Sequence, residues 1–140
     1  MVSYILYVDD DKDDYDIFSE VVHEINPYAN VMHLHDSEKI DDILKLNNPE
    51  IIFLDFNMPK VNGIECLKRI RAYKEFDKIP VILYSVYFDK IEEAFKNGAN
   101  YFILKQWSVT NAKDIIKTML ERDWKDESVL KGFDAFLQQG

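Results

Sequence analysis

The sequence predicts an α/β protein built on a doubly wound, five-stranded parallel sheet, and three observations carry that prediction. Short apolar runs of strand composition alternate with segments of helical periodicity from Tyr4 to Leu120. The run Ile51-Ile52-Phe53-Leu54 is apolar without interruption and bounded by Pro49 and Pro59, as in a strand covered on both faces. Polar side chains close the runs: Asp9-Asp10-Asp11 after the first, Asp55 after the third, Ser85 after the fourth and Lys105 after the fifth. Strict alternation of this kind implies right-handed crossovers, with helices on both faces of one sheet.

Each element follows from its local pattern. Tyr4 to Val8 forms the first strand, and Ile17, Phe18, Val21, Val22 and Ile25 recur at helical spacing behind it, with Asp13 and Asp14 suited to the helix start and Pro27 to its end. Asn30 to His35 is a weakly patterned second strand. Ser37 to about Leu46 reads as a helix with Ile40, Ile43 and Leu44 inward. After the third strand, Asn62-Gly63 ends the loop, and Ile64, Leu67 and Ile70 stripe the next helix. Val81 to Tyr84 is the fourth strand, followed by a helix on Ile91, Ala94 and Phe95 that stops at a left-handed cap at Asn97-Gly98. Tyr101 to Leu104 is the fifth strand, and Ala112, Ile115, Ile116, Met119 and Leu120 mark the fifth helix. Residues 1–123 form the expected domain. Residues 124–140 read as a helical extension of it, with Asp126 or Ser128 as N-cap and a stripe of Val129, Leu130, Phe133, Phe136 and Leu137. That stripe docks on its own domain or meets a second subunit or partner.

Composition removes several classes of function. A chain of 140 residues fits one domain, and 47% hydrophobic content with 4 Gly and 4 Pro argues against disorder. The net charge of −9 opposes binding to nucleic-acid phosphate or anionic lipid. No apolar run approaches the roughly 18 residues of a membrane span, and the start MVSYILYVDD lacks the basic flank of a signal peptide. The expectation is a soluble cytoplasmic protein, monomeric or weakly dimeric, without nucleic acid or membrane as partner. Lone Cys66 suits a reducing compartment and reads as a packed helix residue. His33 and His35 share one strand face, but no third ligand stands at useful spacing, so they read as sheet-edge packing rather than a metal pair.

In the flavodoxin-like order 2-1-3-4-5 the crevice between strands one and three is flanked by the Asp9/Asp10 and Asp55 carboxylates, with Ser85 and Lys105 arriving from adjoining strands. Carboxylates crowd together only if a cation joins them or their pKa values shift. Asp11, Asp13, Asp14 and Asp16 read as solvated charge at the helix start.

From Ile5-Leu6-Tyr7-Val8-Asp9-Asp10 through Asp55-Phe56-Asn57-Met58-Pro59 and Gly63 to Ser85, Gly98-Ala99-Asn100-Tyr101-Phe102 and Lys105, the chain resembles the response-regulator receiver domain in its single-domain, CheY-like form. The resemblance implies that Asp55 accepts a phosphoryl group from a sensor histidine kinase or phosphotransfer protein. It implies Mg²⁺ held by Asp10, Asp55 and the backbone carbonyl of Asn57, with Asp9 supporting directly or through water. Lys105 would neutralise phosphoryl charge, and Ser85 would bond a phosphoryl oxygen and so pull its loop inward. Phe102 stands at the family's switch aromatic, free to turn inward as that loop moves. The implied protein is not an enzyme but a stand-alone signalling module acting on an unknown downstream protein.

The chain departs from the family after Lys105, where Gln106 replaces the usual Pro. A cis bond before a non-proline residue costs roughly 2.5 to 4 kcal/mol, so the loop accepts strain or runs trans. This supports an alternative, a degenerate receiver that binds partners constitutively. Tyr87, bulky and two residues after Ser85, would shield the phosphoryl group from water and give a long-lived phosphoprotein. An aspartyl-phosphate hydrolase of the haloacid-dehalogenase-like type is disfavoured because Asn57 occupies the place of its acid/base Asp.

Overall fold

The apolar runs all become strands: β1 (Tyr4–Val8), β2 (Asn30–Leu34), β3 (Ile51–Leu54), β4 (Val81–Ser85) and β5 (Tyr101–Leu104). They pair in parallel in the order β2-β1-β3-β4-β5. The computed structural model describes residues 1–56, 58–85, 88–105 and 109–131. Of the residues singled out in the sequence, Asn57, Tyr87, Gln106, Phe133, Phe136 and Leu137 lie outside these.

Helices α1 (Lys12–Ile25), α2 (Ile40–Leu46), α3 (Gly63–Arg71), α4 (Ile91–Lys96), α5 (Val109–Glu121) and α6 (Glu127–Lys131) follow in turn. The side-chain alternation of each strand divides the apolar residues between two cores. Leu6, Val8, Ile52, Leu54, Val81, Leu83 and Phe102 pack under α2, α3 and α4. Ile5, Tyr7, Ile51, Phe53, Ile82, Tyr84, Tyr101 and Ile103 pack under α1 and α5, through Phe18, Val21, Val22, Ile116, Met119 and Leu120. Burial of the central strands on both faces is what their uninterrupted apolar runs require.

Local differences from the sequence pattern have physical causes. The cap of α1 is Asp11, whose side chain accepts from the N–H groups of Asp13 and Asp14, so those two acids lie inside the first turn. The segment expected as one helix from Ser37 begins instead as a tight 3₁₀ turn, Ser37–Lys39, capped by Asp36. Ser37 Oγ donates to the Val61 carbonyl at 2.6 Å, tying that turn to the loop after β3. Strand β2 stops at Leu34, opposite Val8, because β1 ends there and offers His35 no partner. Helix α4 ends as expected: Gly98 takes φ 102° and its N–H donates to the Phe95 carbonyl.

Beyond α5 the chain turns back onto the α1/α5 face. Trp124 and Leu130 are buried there, and the Trp124 indole N–H donates to the Met119 carbonyl at 2.8 Å. Asp126 caps α6 by accepting from the N–H and hydroxyl of Ser128. The Leu130 carbonyl accepts from Asn100 Nδ2 at 2.8 Å, and Asn100 Oδ1 in turn accepts from Arg71 and from the Val81 N–H. Among the described residues no helix is long and apolar enough to cross a membrane.

Candidate functional site

Alternation along the strands aims three charged side chains at one point. Asp9 follows Tyr7, Asp55 follows Phe53, and Lys105 follows Ile103, so each projects from a strand end on the α1/α5 side of the sheet. Tyr7 and Phe53 are directly paired, and the Asp55 N–H donates to the Val8 carbonyl, which sets the Asp9 and Asp55 carboxyls side by side. Lys105 Nζ lies 3.1 Å from Asp9 Oδ2 and 3.4 Å from Asp55 Oδ1. Asp10, one residue out of phase, is exposed at the rim.

Asp9 is 1% exposed and is held from several sides. Its Oδ2 accepts from the Tyr7 hydroxyl at 2.8 Å and its Oδ1 from the Asp11 N–H at 3.0 Å. Its own carbonyl accepts from His33 Nε2 at 2.7 Å, and the His33 ring stacks on Tyr15 at 4.3 Å. His33 is thus an edge-strand support beneath the site. Lys105 also reaches Asp14 Oδ2 at 2.9 Å, and its ammonium lies 5.4 Å from the centre of the Tyr84 ring.

Burial and crowding set the electrostatics. Burial pushes the Asp55 carboxyl up to about 7, aided by the Asp9 charge and opposed by the Lys105 ammonium. For Lys105, burial disfavours the charge, but the carboxylates of Asp55, Asp9 and Asp14 outweigh it and hold the ammonium above the usual lysine range. Burial, then the Asp9 charge, also raises Asp10, and burial beside Asp9 raises the Tyr7 phenol. Three carboxyls, of Asp9, Asp14 and Asp55, face one ammonium, a balance that leaves room for a further cation. One oxygen from each of Asp9, Asp10 and Asp55 lies within 4.8 Å of the others, and three hard oxygen donors at such spacing fit Mg²⁺.

Ser85 is fully buried at the end of β4, and the Lys105 N–H donates to its carbonyl at 2.8 Å. Phe102 is fully buried in the core under α4. An aromatic poised to turn inward does not describe this conformation, because Phe102 already fills the inward position. Sequence reasoning missed Tyr7, read as strand composition, and Asp14, read as helix-start charge.

The start of α3 packs closely against the backbone of Asp55 and Phe56. A Cβ on Gly63 would come within 2.5 Å of the Asp55 carbonyl oxygen and 2.7 Å of Phe56 Cα, so only glycine lets α3 begin so near the strand end. Gly63 N–H donates to the Phe56 carbonyl, and the Asn62 side chain accepts from the Glu65 N–H. Within the loop, Lys60 takes φ 65° while Val61 N–H reaches back to the Pro59 carbonyl at 2.8 Å, a three-residue turn that a non-glycine residue adopts only under strain.

Known proteins fit this arrangement. Residues 5–117 match the family model described as the response regulator receiver domain. A chemotaxis protein CheY homolog of Campylobacter jejuni is 31% identical over 88 residues, 61% of this chain and 68% of that protein. The phosphorylated cyanobacterial phytochrome response regulator RcpA superposes with a TM-score of 0.76 at 23% identity, over 89% of this chain and 96% of that one. The Mn²⁺-bound form of response regulator Rcp1 does so with a TM-score of 0.75 at 23% identity, over 85% of this chain and 95% of that one.

Proposed function

Because this chain belongs to the response regulator receiver domain family, we propose that Asp55 is its phosphoacceptor, charged from a phosphohistidine on a sensor histidine kinase or phosphotransfer protein. The observation that carries this reading is the position of Lys105, 3.1 Å from Asp9 and 3.4 Å from Asp55 at the mouth of the sheet. A carboxylate oxygen of Asp55 attacks phosphorus in line, and the P–N bond of the donor imidazole breaks. The electron pair stays on that nitrogen, which takes up a proton.

The phosphoryl group carries its charge on three oxygens, so the step is limited by repulsion from the surrounding carboxylates. Lys105 neutralises part of that charge as it develops. Asp10 and Asp55 would hold Mg²⁺ with the Asn57 carbonyl, and Asp9 would support it, being occupied by Tyr7, Asp11 and Lys105. Bound there, Mg²⁺ supplies the remaining positive charge toward the phosphoryl oxygens. The Mn²⁺-bound Rcp1 and phosphorylated RcpA are relatives in fold that support both assignments.

Ser85 then offers its hydroxyl to a phosphoryl oxygen, and the loop that follows it moves with it. A phosphoryl group adds about −1.5 to −2 charge and three strong acceptors, enough to bias a two-state loop. With Phe102 already inward, movement of the Ser85 loop carries the signal to the surface of α4, β5 and α5, where an unidentified target protein reads it. On this reading the protein acts as a phosphoacceptor that signals through phosphorylation-dependent protein contacts. The alternative of constitutive binding by a degenerate receiver lacks support from Asp9, Asp10, Asp55 and Lys105, which remain together.

Binding of Mg²⁺ with beryllofluoride, a phosphoryl mimic, tests this reading by nuclear magnetic resonance of the backbone amides. Shifts centred on Asp55 and Ser85 that vanish in Asp55→Asn are expected. Unchanged spectra would favour the constitutive binding module.

A further inference from the structure

Lys105 is tied to a residue that the phosphoacceptor chemistry does not use. Its Nζ lies 2.9 Å from Asp14, 3.1 Å from Asp9 and 3.4 Å from Asp55. The shortest contact is thus with Asp14 and the longest with the proposed nucleophile. An ammonium has three protons to donate, and here three carboxylates face it, with the Tyr84 ring at 5.4 Å. Lys105 is therefore fully engaged before any phosphoryl group enters.

The reach of Asp14 follows from the fold. The two strands that carry Asp9 and Lys105 present them on the face that α1 covers, and Asp14 sits in the first turns of that helix. Its side chain is 39% exposed, against 1% for Asp9 and 11% for Asp55. Asp14 is thus the partner at the solvent edge, and the ammonium bridges it to the buried pair.

We propose that Asp14 is a positioning residue that holds Lys105 on the α1 side of the pocket, so that phosphoryl transfer to Asp55 has to draw the ammonium away from it. The proposal rests on the reading of Asp55 as phosphoacceptor. Two consequences follow. Removing the Asp14 charge frees Lys105 for the phosphoryl oxygens and makes the chain a faster acceptor. Phosphorylation in turn loosens the bridge between β5 and the start of α1.

The test is a double-mutant cycle on the full chain. Wild type, Asp14→Asn, Lys105→Met and the double variant are incubated with Mg²⁺ and acetyl phosphate, and the gain of one phosphoryl group is followed by intact mass. Asp14→Asn is expected to be labelled about three to ten times faster than wild type, and the same substitution in the Lys105→Met background to change the rate by less than about twofold. Equal rates for wild type and Asp14→Asn would overturn the proposal. So would a gain that persists undiminished without Lys105, since Asp14 would then act by repelling the anionic donor. Wild type that gains no phosphoryl group would overturn the phosphoacceptor reading and this proposal with it, whereas labelled wild type with an unchanged Asp14→Asn removes the proposal alone.

Discussion

At the scale of single residues, Asp55 carries opposed demands. Burial, with Asp9 beside it, lifts its carboxyl to about 7, whereas an aspartate in an unfolded chain titrates at about 4. Between those values the folded chain holds a proton that the unfolded chain has lost, so the contribution of Asp55 to stability falls as pH rises through that window and stays low above it. Asp55→Asn removes the penalty. In the absence of divalent metal, the variant is expected to melt about 3 to 5 °C above wild type at about pH 8, roughly 1 kcal/mol, with the gap closing toward about pH 4. Calorimetry across that range checks the sign, and added Mg²⁺ should narrow the difference by stabilising the ionised wild type. Asp9, Asp10, Asp55 and Lys105 stood out in the sequence because each closes an apolar run. Asp14 did not, because its lysine partner lies 91 positions away and an acid in a first helical turn has a sufficient local explanation. Tyr7 was hidden in the same way: an aromatic in a strand looks like packing until its hydroxyl is seen 2.8 Å from Asp9.

Among the elements, the loop from β3 to α3 is the one whose geometry the site depends on most. Gly63 has no room for a side chain, since a Cβ would meet the backbone of Asp55 and Phe56 at 2.5 and 2.7 Å. Gly63→Ala is expected to cost about 1 to 3 kcal/mol in urea unfolding, by forcing α3 off the strand end. It should also slow phosphoryl transfer, because the displaced backbone is that of Asp55 itself. Unaltered stability and rate would mean that the loop absorbs the change elsewhere. Strands and helices were legible here because their periodicities differ and the central runs are long. The start of α2 was not, because the 3₁₀ turn at Ser37 is imposed by a buried hydrogen bond to Val61, a contact that local pattern does not contain.

For the whole molecule, the strand order places the carboxylates, and the sequence carried that order through its alternation of strands and helices. What it left open was how the C-terminal segment is used. Trp124 and Leu130 are buried against the α1/α5 core, and Asn100 links Leu130 to Arg71 at the opposite end of the sheet from Asp55. Deleting residues 124–140 is therefore expected to lower stability by about 2 to 4 kcal/mol while leaving the mass in solution that of a monomer. A dimer that dissociates on truncation would assign the segment to a subunit contact instead. The role proposed for this fold is to present Asp55 to a phosphoryl donor. It is tested most directly by incubating the protein with Mg²⁺ and acetyl phosphate, reducing the acyl phosphate with borohydride and mapping the modified residue by peptide mass. A single homoserine, at position 55, is expected; an unmodified chain, or modification at any other residue, would contradict that role for Asp55.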